Sequence, residues 1–347
     1  MILKDTMRNI QQLYNYKKNF RYALSVAELE PEIDGAVAEN MYYFDQKCID
    51  NAFKDFVISK TNFSDDEYSK LFNPVKCING AEFIENPYLK NINLDNVKVG
   101  EITLEKELYK PFEFAIMDEP KQDSSLMRKY TVGVFDRPAF TYVLKNDQFV
   151  WMSINPMEVK TAAPAIKKAT GSVLVLGGGL AYYPYMISLK EDVSSIHIVE
   201  TNEDVYEILD KYILPQFPNN KVKLIKSDAY DYINNTEEKY NTVYIDIWQD
   251  NVQGFEDYKK FVKFENKFPK ARFDYWLEGS LLDSVIVNIY QYFSAKLGTD
   301  DYQRYFAAVA PDLWKYMENL NITIDRPDQM NYYLTRDFAK KVLKEMN

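Results

Sequence analysis

Gly171-Ser172-Val173-Leu174-Val175-Leu176-Gly177-Gly178-Gly179-Leu180-Ala181-Tyr182-Tyr183 is the stretch that decides the fold. Its aliphatic run, residues 173–176, reads as a strand buried on both faces. Three glycines end the run, and a helix-compatible segment, residues 181–189, follows. Glycine lets the backbone turn with positive φ and lets a ligand approach without a Cβ in the way. Strand, glycine turn and helix form the first unit of a nucleotide-binding α/β sheet, whose ligands sit at the carboxyl ends of the strands.

Downstream the alternation is regular. Residues 195–199, 221–225 and 242–245 read as strands, with Glu200, Asp228 and Asp246 closing or following them. Residues 204–212 and 230–234 between them read as helical, so a parallel sheet with right-handed crossovers is predicted. Residues 272–278 are a candidate fifth strand, and 281–297, 302–320 and 336–346 read as helices.

In a parallel sheet the three acids share one rim, beside the glycine turn. Glu200, with Thr201 after it, lies 21 residues past Gly179, the spacing at which a carboxylate accepts both ribose hydroxyls of an adenosine. A dinucleotide fingerprint wants a glycine where Tyr182 stands, and that bulk opposes a pyrophosphate. Asp228 beside Ala229 suits the amine edge of adenine, and Asp246 suits a cationic or amine-bearing group. S-adenosyl-L-methionine has an ammonium, a sulfonium and no phosphate, and it fits this set.

Residues 171–250 resemble the cofactor-binding core of class I S-adenosylmethionine-dependent methyltransferases. The first motif of that superfamily matches residues 173–181, its second acidic position Glu200, its third Asp228, and its fourth the run 240–246 ending in Asp246. The nearest texture is the spermidine-synthase-like branch, which has a β-rich segment ahead of the domain, a triple-glycine turn and a strand-four aspartate. The resemblance implies a Rossmann-like α/β sheet and a transferase. It places the cofactor against Gly177, Gly178, Gly179, Leu180, Glu200, Thr201, Asp228, Ala229 and Asp246. Aminopropyltransferases carry an aspartate where this chain has Leu180, and a second strand-four carboxylate where it has Gln249, with Asp250 one position later. Ala181 replaces the usual last glycine. The resulting expectation is a methyltransferase acting on a small molecule. The alternatives are a spermidine-synthase-like aminopropyl or aminocarboxypropyl transferase, or a non-catalytic cofactor-binding scaffold.

Methyl transfer is an in-line displacement at an activated carbon, so the protein supplies positioning and a base. Asp246 is the candidate base or amine-orienting group, and Trp248 a pocket wall whose face suits a cation. Glu158, in the first turn of a helix opened by Asn155-Pro156, is a candidate reaching in from the domain junction, although the helix dipole alone accounts for an acid there. Tyr182 and Tyr183 are candidates to cover the cofactor or close the pocket. Asp250, Glu256 and Asp257 suit an acidic mouth or simply a solvated helix start. Tyr275-Trp276-Leu277-Glu278 reads as core packing, and His197 as a packed strand residue rather than a catalyst.

The rest of the chain divides into a helical segment (residues 1–72), a small β-rich region (73–155) and the Rossmann-like domain with C-terminal helices (156–347). Residues 2–29 and 34–60 read as amphipathic helices, and Ser64 with Glu67 as a capping box. Residues 130–135, 140–144 and 149–154 read as an antiparallel meander. The net charge of −10 without a basic patch argues against nucleic acid. No apolar run reaches membrane-spanning length, and two cysteines and one histidine offer no metal site. A cytoplasmic setting is expected, with a small-molecule partner. The N-terminal part is expected to shape the substrate pocket or the interface of a homodimer.

Overall fold

In the computed structural model, residues 2–3, 6–94, 96–147, 149–248, 251–297 and 311–346 are described. The glycine stretch begins a five-stranded parallel sheet: β1 (Gly171–Leu176), β2 (Val193–Glu200), β3 (Val222–Lys226), β4 (Thr242–Ile245) and β5 (Arg272–Tyr275). The order is β3-β2-β1-β4-β5. In register, Leu176 sits opposite Val199 on one side and Ile245 on the other, so the carboxyl ends of the three central strands are level. β1 lies at the point where strand order reverses, which is where an open α/β sheet forms its ligand crevice.

The inner strands are aliphatic because both faces are covered. Val173 and Val175 pack with Ala165 and Ile187, under helices α1 (Pro156–Lys168) and α2 (Tyr182–Ser188). Leu174 and Leu176 face the opposite way, into the core formed with α6 (Glu278–Leu297) and the C-terminal helix Arg336–Glu345. Between these lie α3 (Glu203–Ile208), α4 (Ala229–Asn235) and α5 (Asn251–Phe261).

The N-terminal helix, Thr6–Ile33, docks on α6. Tyr16 meets Tyr290 edge-on at 6.2 Å, and Leu13 shares the core that holds Ile289. It runs through Pro31 to Ile33 instead of stopping at the proline, which falls in its last turn. The second helix is Gln46–Thr61, capped by Asp45, not 34–60. Residues 36 and 38 are instead extended against another strand, with Phe114 N donating to Ala36 O (2.8 Å) and Ala38 N to Phe112 O (2.9 Å). The apolar residues 36–44 therefore continue no helical stripe.

The expected meander is split between two sheets. Val132–Phe135 pairs with Lys76–Ile78 and Phe114–Ile116, whereas Ala139–Lys145 pairs with Val150–Ser153 and Ile102–Tyr109. The turn between them is stapled elsewhere, since Asp136 accepts from Gly80 N (2.9 Å), and the chain changes sheets at Pro138. Two short helices, Gly80–Ile84 and Pro87–Asn91, are each capped by an asparagine, Asn79 and Asn86. At the C-terminus Pro311–Asn319 is helical, and the remainder of the helix expected over 302–320 lies outside the described residues.

Candidate active site

The turn after β1 needs its first glycine for two reasons. Gly177 has φ +96°, and a Cβ there would fall well inside the carbonyl oxygen of Asp246 at the end of β4. The two strand ends are locked together by Asp246 N donating to Leu176 O (2.9 Å), and Gly177 N donates to Val199 O on β2 (3.0 Å). Ala181 takes a left-handed φ of +55° at the start of α2, the conformation that a final glycine would adopt freely.

Glu200 ties β2 to this turn. Gly178 N donates to one of its carboxylate oxygens (2.9 Å) and Asn202 N to the other (2.7 Å). A carboxylate has about four acceptor positions, so each oxygen keeps a lone pair for a diol. Asp228 caps α4 by accepting from Asp231 N (2.9 Å), with buried Ala229 behind it. Thr201 stands exposed at the rim.

Glu158 and Asp246 enter from opposite sides of the crevice. Asn155 caps α1 by accepting from Glu158 N (2.8 Å), which turns the glutamate side chain inward. Glu158 is buried and Asp246 half-buried, and among the described residues neither carboxyl accepts a hydrogen bond or pairs with a cation. Burial pushes Asp246 up to about 7, and burial followed by the charge of Asp246 pushes Glu158 well above the usual carboxylate range.

The walls are aromatic. Tyr182 accepts from Asn86 Nδ2 (3.0 Å) and is pushed up to about 12, chiefly by burial. Tyr183 stacks on Tyr244 at 3.8 Å and 10°, and neither hydroxyl has a partner among the described residues. Trp248 donates to Trp276 O (3.2 Å), and α5 approaches its ring closely at Gly254. These groups, with the glycine turn and all three strand-end acids, line one cavity of about 1070 Å³.

Leu180 does not line it. Its side chain is packed in the core with Tyr88 and Tyr182, and its carbonyl accepts from the Tyr88 hydroxyl (2.5 Å). Met152, from strand Val150–Ser153, occupies the place over Gly179, and its sulfur accepts from Leu180 N (3.2 Å). Glu30 and Arg128 reach the same cavity from the N-terminal helix and a short strand. None of these three was legible as a site residue. Asp250 lies outside the described residues. Asp257 lines the mouth, paired with Lys260 at 2.9 Å, while Glu256 pairs with Lys259. Trp276 and Leu277 line the cavity, whereas Tyr275 is in the core and Glu278 pairs with Lys340 (2.6 Å). His197 Nδ1 sits 2.9 Å from the Tyr240 hydroxyl and is no part of the cavity. Among the described residues no group of three or more acids, histidines or cysteines is placed to hold a metal, and no helix is long and apolar enough to cross a membrane.

No family model matches the chain. Over 78 residues it is 33% identical to the polyamine aminopropyltransferase of Methanocaldococcus jannaschii, a match covering 22% of this chain and 27% of that one. The match thus spans about a quarter of that curated relative. Among solved structures, spermidine synthase from Thermotoga maritima superposes over 41% of this chain and 53% of its own, at 13% identity and a TM-score of 0.32. A spermidine synthase in complex with the transition-state analogue AdoDATO superposes over 34% and 43%, at 15% identity and a TM-score of 0.27. The five-stranded parallel sheet, with β1 at the reversal of strand order, has the Rossmann-like α/β architecture, and parts of the chain are similar to these polyamine-forming transferases. Against the pattern of the spermidine-synthase-like branch, Leu180 is a departure with a structural consequence. Where the branch has an aspartate, this chain has an apolar side chain turned into the core.

The residues fit an adenosyl sulfonium. A Cβ on Gly178 would meet the Leu209 side chain first and then a Glu200 carboxylate oxygen at 3.1 Å, so the turn is closely packed beside that carboxylate. The acid pair lacks a cation that such a ligand carries.

Proposed function

We propose that this protein transfers an alkyl group from an S-adenosyl sulfonium to a small acceptor bearing an amine, with methyl transfer from S-adenosylmethionine as the first reading. One observation carries it. Glu158, buried, and Asp246, half-buried, both line the cavity beside the glycine turn, and among the described residues neither has a cation partner. Two carboxyls taken from water without a cation are costly, and a cationic ligand offsets that cost.

The turn and Glu200 would hold the adenosine, with Asp228 and Ala229 at the base. When bound, the sulfonium ligand supplies a carbon already activated for displacement. The remaining work falls to the chain. Asp246 and Glu158 draw the acceptor's ammonium into the crevice, and the carboxylate of Asp246 is placed to take its proton as the amine attacks the carbon and the carbon–sulfur bond breaks. Trp248 excludes water and offers a ring face to the cation.

Aminopropyl transfer is the second reading, favoured by a specific feature. Among the described residues the cations lining the cavity are Arg128 and Lys260; Lys260 is paired with Asp257, and neither ion-pairs with Glu158 or Asp246. A methionine carboxylate near the acid pair would be repelled, and a decarboxylated donor would not. The 33% match to a polyamine aminopropyltransferase points the same way.

Calorimetric titration with S-adenosylmethionine, S-adenosylhomocysteine and decarboxylated S-adenosylmethionine tests the donor. Mass spectrometry of amine acceptors incubated with each donor then identifies the group moved. Absence of binding to all three compounds overturns the proposal.

A further inference from the structure

The cavity is walled by more than the glycine turn and the strand ends, and the part of its wall taken as its far end is built from the N-terminal region. There Glu30, in the last turns of helix Thr6–Ile33, stands near Arg128, with Ala27, Pro120 and Ser280 completing the wall. Among the described residues the Glu30 carboxylate has no hydrogen bond and no ion pair, although it feels the like charge of Asp34 and, more weakly, the opposite charge of Arg128. Glu30 and Arg128 are neighbours that do not touch.

Arg128 has donors to spare. A guanidinium carries five N–H groups. Here Nε donates to Gln122 Oε1 (3.3 Å), one Nη lies 3.4 Å from Asp283, and Tyr130 takes another contact. Asp283 is already held by Arg336 through two bonds of 2.9 and 3.1 Å, so it is a shared partner. The far end therefore offers an unbonded carboxylate and a partly unused guanidinium, fixed on different elements with open space between them.

A bare amine placed there gains from Glu30 and is repelled by Arg128. A bare carboxylate meets the reverse. A group carrying both charges satisfies both walls at once, and the planar fork of arginine suits a carboxylate. Resting on the transferase reading above, we infer that the acceptor is an amino acid with a second amine. Its zwitterionic head group lies between Glu30 and Arg128, and its other amine is directed toward Glu158 and Asp246.

Matched probes decide this. L-lysine and cadaverine differ by one carboxylate, as do L-ornithine and putrescine. Each is titrated calorimetrically into the full chain, with and without S-adenosylhomocysteine. The expected result is that at least one amino acid binds tenfold or more tighter than its matched diamine. Arg128→Gln should erase that preference, and Glu30→Gln should weaken the amino acid at least fivefold. Glu30 has no side-chain partner to lose, so its variant reports on the site even where Arg128→Gln melts early. Equal or tighter binding of both diamines overturns the inference. So does an Arg128→Gln variant that weakens S-adenosylmethionine as much as the amino acid, because the far end would then hold the donor's head group. Failure of S-adenosylhomocysteine to bind, with the amino-acid preference intact in the free protein, removes the transferase reading and leaves this one standing.

Discussion

Glu158 and Asp246 share one crevice with no counter-ion among the described residues, one from the first turn of α1 and the other from the end of β4. Both are therefore raised in the folded chain, Asp246 to about 7 from an ordinary 3.8. The folded state holds a proton that the unfolded chain has released between those values. Stability from this group is thus fully present below about pH 4 and is lost as pH rises through about 7. Asp246→Asn removes the charge and should stabilise the protein at pH 8 by roughly 1–3 kcal/mol while changing it little near pH 4.5. Urea melts of both proteins at the two pH values check this, and a variant that is no more stable at pH 8 would count against the acid pair.

The same raised carboxyls make cation binding release protons. A positive charge beside the pair favours the ionised form and lowers both values. Near pH 7 an amine or sulfonium ligand should therefore displace protons from the pair. Calorimetry in buffers of different ionisation enthalpy reads the number directly. Buffer-independent heats at pH 7 would place the cation elsewhere in the cavity.

Gly177 and Gly179 should respond differently to the same substitution. A Cβ on Gly177 meets the backbone carbonyl of Asp246, which cannot move without breaking the β1–β4 lock. On Gly179 it meets the sulfur of Met152, the end of a flexible side chain. Gly177→Ala should cost about 3 kcal/mol or more in thermal or denaturant melts, against about 1–2 for Gly179→Ala, whose positive φ alone strains an alanine. The space filled at Gly179 is thus first that of Met152, which sits between the turn and the neighbouring strand.

Much of the sheet was legible because its signals are local. The aliphatic run 173–176, the glycines after it and the acid at Glu200 each follow from neighbours within a few residues, and the parallel pairing follows from the alternation of strand and helix, whereas the strand order comes from the structure. What was not legible comes from the chain folding back on itself. Met152, Glu30 and Arg128 reach the cavity through contacts between distant segments, and no spacing in the sequence links them to residue 177. Leu180 sits where the resemblance places a cofactor contact, but its apolar side chain finds the core with Tyr88 instead. The apolar residues 36–44 carry helical periodicity, yet the backbone groups of Ala36 and Ala38 are taken by a neighbouring extended segment. Asp136 likewise ties its turn to Gly80, which moves the chain to a second sheet.

Glu200 does two jobs, and a pair of variants separates them. Its carboxylate satisfies Gly178 N and Asn202 N, and it is the candidate acceptor for the ribose diol. Glu200→Ala leaves two backbone donors without that acceptor and should lower stability by about 1–3 kcal/mol. Glu200→Gln keeps one acceptor oxygen but turns an NH2 toward the other donor, so it should lose part of that stability. On the proposed function both variants also weaken S-adenosylhomocysteine, Glu200→Ala at least tenfold, because neither presents two acceptor oxygens to a diol. Melts and calorimetry on the same samples tell the roles apart. A Glu200→Gln protein that binds S-adenosylhomocysteine as tightly as the parent would confine this residue to holding the turn, and the adenosine would have to be sought elsewhere along the cavity.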